Sequence, residues 1–310
     1  MRIAVMGAGG LGGFYGGKLV KHGEAVTFIA RGKHLTVIQN SGLRLIGDKE
    51  KILLKDVNAT NNPRDIGPVD LILFCVKLYD VESAAALIKP IITKDTVVIS
   101  LLNGINGPER LSKTLGKGII CAGSARVSAR ILEPGTIRFL GDSDGHRLTF
   151  GRKEKKLPVI AHKFCEICNF SGFPAQISNN IEVELWDKLV QLTCVAGLTT
   201  LARKPMGVVL EEPNLFAIGE KILMEVEAIA RSKNIALSPN IFENKIKLIC
   251  SFPRDLYASM YHDLVAGKRM EVEDIFGYLA NEGEKNNIQT PIIDFLYAFL
   301  KPHMNGAKRL

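Results

Sequence analysis

Six consecutive residues near the start of the chain, Gly7-Ala8-Gly9-Gly10-Leu11-Gly12, form a G-x-G-x-x-G directly after the apolar run Ile3 to Met6. The chemistry such a loop offers is anion binding by backbone. Gly7 makes a tight turn, Gly9 lets the chain approach a pyrophosphate, and Gly12 permits close helix–strand packing, while the helix N-terminus faces the charge. A strand before, a helix after and a second strand at 25–30 complete the unit of ~30 residues that gives this pattern its meaning as a dinucleotide site. About 20 positions past such a loop, a carboxylate selects NAD by bonding the adenosine ribose. Here the residues are Ala30-Arg31-Gly32-Lys33-His34, without a carboxylate, and Arg31 could grip a 2′-phosphate through two parallel charge-assisted bonds. NADPH is therefore the expected cofactor.

Reduction of a carbonyl by a nicotinamide also needs a proton donor and groups that orient substrate. In open α/β sheets these lie beyond the C-terminal ends of strands. Lys77 closes the run Leu71 to Val76, and Asn103-Gly104 follows Val97 to Leu101. Taken singly, Lys77 reads equally as a surface lysine and Asn103 as a turn former.

The elements that must position these residues fall into two parts. Through residue 178, buried-strand runs at Ile3 to Met6, Ala25 to Ala30, Leu71 to Val76 and Val97 to Leu101 alternate with amphipathic stretches at 11–22, 81–89 and 108–115. That alternation predicts a parallel sheet with helical crossovers. Segment 124–150 breaks it with runs around Arg126 to Leu132, Thr136 to Leu140 and Leu148 to Phe150, which read as antiparallel strands completing the same domain. After Ile177 the periodicity becomes helical, over 181–197, 215–229, 240–250, 254–266, 272–286 and 292–301, with Pro205, Pro213, Pro239, Pro253 and Pro291 where helix starts are expected. The predicted fold is an α/β N-terminal Rossmann-like dinucleotide-binding domain over 1–178 and an all-α C-terminal domain over 179–310.

Composition narrows the classes. With 46% hydrophobic and 23% charged positions over 310 residues, the chain is neither disordered nor a small disulfide scaffold. Its apolar runs fall short of the ~20 residues of a membrane-spanning helix, and no secretory signal pattern opens it, so a cytoplasmic protein is expected. Residues 1–178 carry 25 basic and 15 acidic side chains, and 179–310 carry 15 and 17. The first domain therefore wants an anion, although charge alone does not choose between a small polyanion and nucleic acid. Six cysteines lie in apolar surroundings and read as reduced core thiols. His162, Cys165 and Cys168 have metal-like spacing but no fourth ligand nearby, so no metal is expected. Arg152-Lys153-Glu154-Lys155-Lys156 reads as a solvated connector.

The chain resembles the ketopantoate reductase family over nearly its whole length. The likeness rests on Gly7 to Gly12, Val76-Lys77, Asn103-Gly104, Ser128-Ala129-Arg130, Glu184-Leu185-Trp186-Asp187-Lys188-Leu189, Ser259 and Met270-Glu271-Val272. The resemblance implies NADPH-dependent reduction of 2-dehydropantoate (ketopantoate) to pantoate, in pantothenate biosynthesis. It assigns the catalytic proton donor to Lys188, contacts to cofactor or reacting substrate to Lys77, Asn103, Ala129 and Glu271, and the substrate carboxylate to Ser259. On the residues alone, Lys188 could instead form an i,i+4 pair with Glu184, Glu271 could belong to a charged helix face, and Ser259 could be a surface hydroxyl. The family usually places asparagines four and eight positions after the lysine, whereas Leu192 and Ala196 stand here. Gln191, Thr199 and Thr200 are the polar side chains that could replace them. The expected partner is a small 2-oxoacid substrate, with no nucleic acid and no membrane, and a homodimer stays open. The rival readings are a reductase of a different 2-oxoacid and a non-catalytic NADPH sensor.

Overall fold

The computed structural model describes residues 1–141, 145–153 and 156–307. The turn expected over 141–145 and the connector over 152–156 lie partly outside these residues. The described chain divides into two compact units, Met1–Ile181 and Glu182–Leu310.

In chain order the first unit contains β1 (Arg2–Met6), α1 (Gly10–Lys21), β2 (Ala25–Ile29), α2 (Gly32–Ser41), β3 (Leu43–Ile46), β4 (Lys51–Leu54), β5 (Asn58–Thr60), β6 (Leu71–Phe74), α3 (Val81–Ile88), β7 (Val97–Ser100), α4 (Gly107–Leu115), β8 (Ile119–Ala125), β9 (Ser128–Glu133), β10 (Thr136–Leu140), β11 (Leu148–Gly151), α5 (Val159–Phe170) and β12 (Ala175–Ile177). Eight strands form the main sheet in the order β12-β11-β8-β7-β6-β1-β2-β5. All its neighbours are parallel except β11 and β8. The expected Rossmann-like α/β arrangement is present.

The continuous apolar runs have a simple cause. Successive strand side chains point to opposite faces, and both faces are covered. Ile3 and Val5 of β1, Leu71 and Leu73 of β6, and Val97 and Ile99 of β7 enter one buried cluster with Phe14 and Leu19 of α1. Ala4, Met6, Ile72, Phe74 and Val98 enter another with Val81, Ala85 and Leu111 of α3 and α4.

The antiparallel strands expected over 124–150 are present in this unit, and they divide between two sheets. Only β11 joins the main sheet, while β9 and β10 form a hairpin in a second sheet of order β4-β3-β10-β9. There β10 runs parallel to β3. This small sheet lies on α1, which is therefore squeezed from two sides, and the glycines of that helix divide accordingly. A Cβ on Gly12 or Gly16 would press on Val5 of the main sheet, and one on Gly13 or Gly17 would press on Ile137 or Leu45 of the small sheet. Each pair is spaced i,i+4, so each marks one helix face.

The second unit is helical, as expected: α6 (Ile181–Ala202), α7 (Met206–Glu211), α8 (Pro213–Ser232), α9 (Ile241–Cys250), α10 (Ser259–Val265), α11 (Tyr278–Lys285) and α12 (Pro291–Leu300). Pro213 and Pro291 open their helices, and Pro205 caps α7. The helix expected over 254–266 starts only at Ser259, because Pro253 closes a turn through the bond from Leu256 N–H to its carbonyl. A π-helical turn, Glu273–Gly277, precedes α11. α6 is buried on most sides, as suits a central helix. Gly197 meets Leu296 of α12, and Gly219 of α8 meets Leu198. Trp186 is buried with its ring 6.5 Å from that of Tyr278. No helix among the described residues is long and apolar enough to cross a membrane. The described cysteines are free, and Cys250 is exposed rather than in the core. Burial pushes the Cys121 and Cys194 thiols up to about 12.

Glycine to alanine inside a helix ordinarily stabilises by about 1 kcal/mol. Gly10→Ala should do the opposite, because the new Cβ would collide with the carbonyl of Ala129 in β9. A loss of about 1–3 kcal/mol in chemical denaturation is expected. Gly9→Ala, with nothing within 4 Å of its Cβ, should cost less than Gly10→Ala, since it forfeits only the preference for glycine over alanine at an N-cap.

Candidate active site

The main sheet reverses its winding between β1 and β6: from β1 the chain proceeds outward through β2 to β5, then returns to β6 and runs through β7 to β8. Ligands of open α/β sheets bind at such a point, outside the carboxyl ends of the strands. Four adjacent strand ends carry the residues singled out in this unit. Arg31 follows β2, Gly7 to Gly12 follow β1, Lys77 follows β6 and Asn103 follows β7. Cys75 N–H donates to Met6 O at 2.8 Å and Leu101 N–H to Phe74 O at 2.9 Å, so the ends remain in register past the ladder.

The glycine loop meets the physical demands made of it. Gly7 has φ +95° and sits against the Cys75 carbonyl, where a Cβ would approach to 2.9 Å. Gly9 caps the helix with no side-chain hydrogen bond, and the first turn of α1 contains no acid. Among the described residues, neither the cap nor an acid in the first turn offers these N–H groups a side-chain acceptor, and the space beside Gly9 is open. A bare N-terminus on a helix of 12 residues fits a pyrophosphate. Ala129 lies against Gly10, so the small sheet contributes to the loop's wall.

His34, read in the sequence only as part of the stretch after β2, turns out to support this loop. Gly135 N–H, in the β9–β10 turn, donates to Nδ1 at 3.0 Å. The proton must therefore sit on Nε2, which donates to the Ala8 carbonyl at 2.7 Å. Burial holds the His34 pKa below its ordinary value, opposed in part by the Ala8 bond.

Arg31 is 88% exposed, and its Nη2 donates to Asp80 Oδ2 at 3.0 Å. A carboxylate does stand at this site, brought from the loop after β6 rather than from β2. That loop is fastened by Arg110 of α4, whose Nη2 donates to the Leu78 carbonyl at 2.9 Å and whose Nε and Nη2 donate to Glu82 at 2.7 and 2.8 Å.

In the second unit Lys188 is half-buried on α6, and no charged side chain follows it until Arg203. Leu192 is half-buried and Ala196 buried. The three polar side chains that might have replaced the missing asparagines are largely turned to internal work. Thr199 is fully buried, donates to Val195 O at 2.7 Å and accepts from Ala258 N–H at 3.2 Å. Gln191 Oε1 lies 3.5 Å from Lys245 Nζ. Thr200 is buried with its hydroxyl unpartnered among the described residues. Ser259 is exposed at the start of α10, one residue after the amide that Thr199 holds. Glu271 is 4% exposed, whereas Lys268, Arg269 and Glu273 are exposed, so it does not belong to a solvated charged face. It immediately precedes Val272 and the π-helical turn, an irregularity common at functional sites.

Lys245 was missed. It is buried on α9, and its ammonium bonds Asp187 Oδ2 at 2.6 Å, next to Lys188 in sequence. Its signal is visible in hindsight: Ile241, Lys245 and Ile249 are spaced by four, so the lysine lies in the helix's buried stripe. On α5, His162 is exposed and Cys168 buried, on different faces. No group of three or more His, Cys, Asp or Glu among the described residues could hold a metal ion.

His34 gives a prediction with a defined sign. Because its folded pKa lies below the unfolded value near 6.5, its contribution to stability is full above that pH and is lost as pH falls through the lowered value. His34→Leu should cost about 1–3 kcal/mol at neutral pH by leaving the Ala8 carbonyl and Gly135 N–H unpaired. His34→Gln, which can both donate and accept, should retain most stability and remove this acid-side loss. Urea denaturation across pH checks both outcomes.

Comparison with known proteins places both units in one family. Residues 3–155 match the family described as ketopantoate reductase PanE/ApbA, and residues 180–304 match its C-terminal domain. A 2-dehydropantoate 2-reductase from Lactococcus lactis subsp. lactis is 30% identical, over 96% of either chain. A PanE/ApbA family ketopantoate reductase from Ralstonia eutropha JMP134 superposes with a TM-score of 0.89 at 29% identity, covering 98% of both chains. A D-mandelate dehydrogenase bound to NADH and anilino(oxo)acetate superposes with a TM-score of 0.90 at 25% identity, also over 98% of each. With both of its units matched, this chain belongs to the ketopantoate reductase family of oxidoreductases.

Proposed function

We propose that the chain is an NADPH-dependent reductase of a small 2-oxoacid, with 2-dehydropantoate as substrate and pantoate as product. The observation that carries this reading is the family match over both units, together with the bare glycine-lined N-terminus of α1 at the switch point of the sheet. Gly7, Ala8, Gly9, Gly10, Leu11 and Gly12 hold the pyrophosphate through backbone N–H groups, and Arg31 meets the 2′-phosphate. Lys77, Asn103 and Ala129 contact the nucleotide or the reacting end of the substrate. When bound, the reduced nicotinamide supplies the hydride that adds to the keto carbon.

The remaining chemistry is a proton problem. As negative charge gathers on the former keto oxygen, the Lys188 ammonium stabilises it and then transfers one Nζ proton, giving the hydroxyl. Glu271 keeps that ammonium oriented. A buried carboxylate is well suited to this, since a low dielectric strengthens its pull on a cation. Ser259 hydrogen-bonds the substrate carboxylate.

A second reading, another 2-oxoacid as substrate, is favoured by one observation. Leu192 and Ala196 make the Lys188 helix apolar where the resemblance expects asparagines, and Thr199 is committed elsewhere. Apolar groups there suit a larger apolar substituent, and a site without those hydrogen bonds discriminates differently.

NADPH consumption against a panel of 2-oxoacids separates the readings. Ketopantoate should give the highest kcat/KM; a phenyl-bearing 2-oxoacid ranking first would move the assignment, and no turnover with any would favour a nucleotide sensor. Lys188→Ala should lower kcat by about 10²–10⁴-fold while NADPH affinity changes little. Undiminished turnover would return Lys188 to an ordinary helix ion pair.

A further inference from the structure

The carboxylate of Asp80 has an unusual use. Asp80 is the N-cap of the eight-residue helix α3, a position where an aspartate ordinarily accepts from the N–H groups of the first turn. Here the side chain makes no capping bond, and Oδ2 instead accepts from Arg31 Nη2 at 3.0 Å. The backbone carrying it is fixed at two points: Asp80 N–H donates to Lys77 O at 2.9 Å, and Arg110 grips Leu78 and Glu82 on either side. Arg31 is the freer partner, almost fully exposed on a chain that turns through Gly32 at φ +61°. The acid is held still and the base comes to it.

This changes what the end of β2 offers an incoming ribose. A carboxylate there favours a free 2′-hydroxyl, which can donate to it, and an arginine favours a 2′-phosphate. The structure presents both within one hydrogen bond. A 2′-phosphate approaching Arg31 meets a neighbouring negative charge and competes with it for the guanidinium, although the five N–H donors of that group leave some available. A 2′-hydroxyl finds an acceptor already in place.

Resting on the nucleotide site proposed above, we infer that Asp80 is a specificity-determining residue: it supplies, from the loop after β6, the ribose acceptor that β2 lacks, and so lets the chain accept NADH beside NADPH. The pair sets a moderate preference, where Arg31 alone would set a strong one.

The test is direct binding, read from quenching of protein fluorescence or enhancement of nucleotide fluorescence, with NADPH and NADH titrated into the full chain and into Asp80→Asn and Asp80→Ser. Asparagine and serine are competent N-caps, so α3 should persist, and unchanged thermal melting would confirm it. Removing the charge should tighten NADPH about two- to fivefold, the size of an exposed charge interaction, and weaken NADH by a similar factor. Equal shifts for both nucleotides, no shift, or weaker NADPH binding would overturn the assignment of Asp80. Failure of the unmodified chain to bind either nucleotide would overturn the site itself, a result distinguishable from the others because it precedes any substitution. Adenosine 2′,5′-bisphosphate against adenosine 5′-monophosphate, titrated in parallel, isolates the 2′ position: only the bisphosphate should gain affinity when Asp80 is neutralised.

Discussion

The first unit is organised around the space that α1 is denied. Two sheets close on this helix, and only hydrogen atoms fit at Gly12 and Gly16 on one side and at Gly13 and Gly17 on the other. That squeeze brings Ala129 of the small sheet against Gly10, at the end of the helix where an anion would be met. The glycines thus serve two purposes. Some admit a neighbouring backbone or side chain, while Gly9 leaves the approach to the first-turn N–H groups open. Lys18 shows how tightly the arrangement is sealed: it is buried on α1 near the Phe14 and Phe139 rings, and its charge is answered by Glu50 from the β3–β4 turn.

In the second unit the corresponding constraint is the burial of α6 on most of its circumference. A helix so enclosed can carry charge only where a partner waits, which is why Lys245 reaches Asp187 from α9. Breaking such a pair leaves an uncompensated buried charge, so its value is in fixing the register between two helices more than in net stability. The hydroxyl of Thr199 ties the same helix to the segment that opens α10. Lys188, Glu271 and Ser259 therefore stand on elements that the core of one unit holds in place.

Much of this was legible in the sequence where burial is two-sided. β1, β2, β6 and β7 announced themselves because both faces are covered, and α8 because its stripe faces one side only. The strands β3, β4, β5 and β12 did not, because none is buried along its whole length as β6 and β7 are, and Asn58-Ala59-Thr60 is mostly polar. The glycine loop was readable as a motif because its demands are local. Asp80 and His34 were not, since their meaning comes from partners 49 and 101 positions away in Arg31 and Gly135. No carboxylate stands directly after β2 in the sequence, yet in the fold one is bonded to Arg31. Glu271 shows the converse: its charged neighbours in sequence suggested a solvated face, and the backbone turned it inward.

The small sheet has a kinetic consequence. β3 pairs with β10, Arg44 N–H bonds Gly135 O, and Gly10 rests on Ala129, all contacts between segments roughly a hundred residues apart. Long-range pairings are slow to form because chain closure must precede any reward. β1 and α1, made before the hairpin, acquire their finished surroundings only when it arrives. On the ribosome, the glycine loop and its helix must wait for a hairpin roughly a hundred residues further along before their packing is complete.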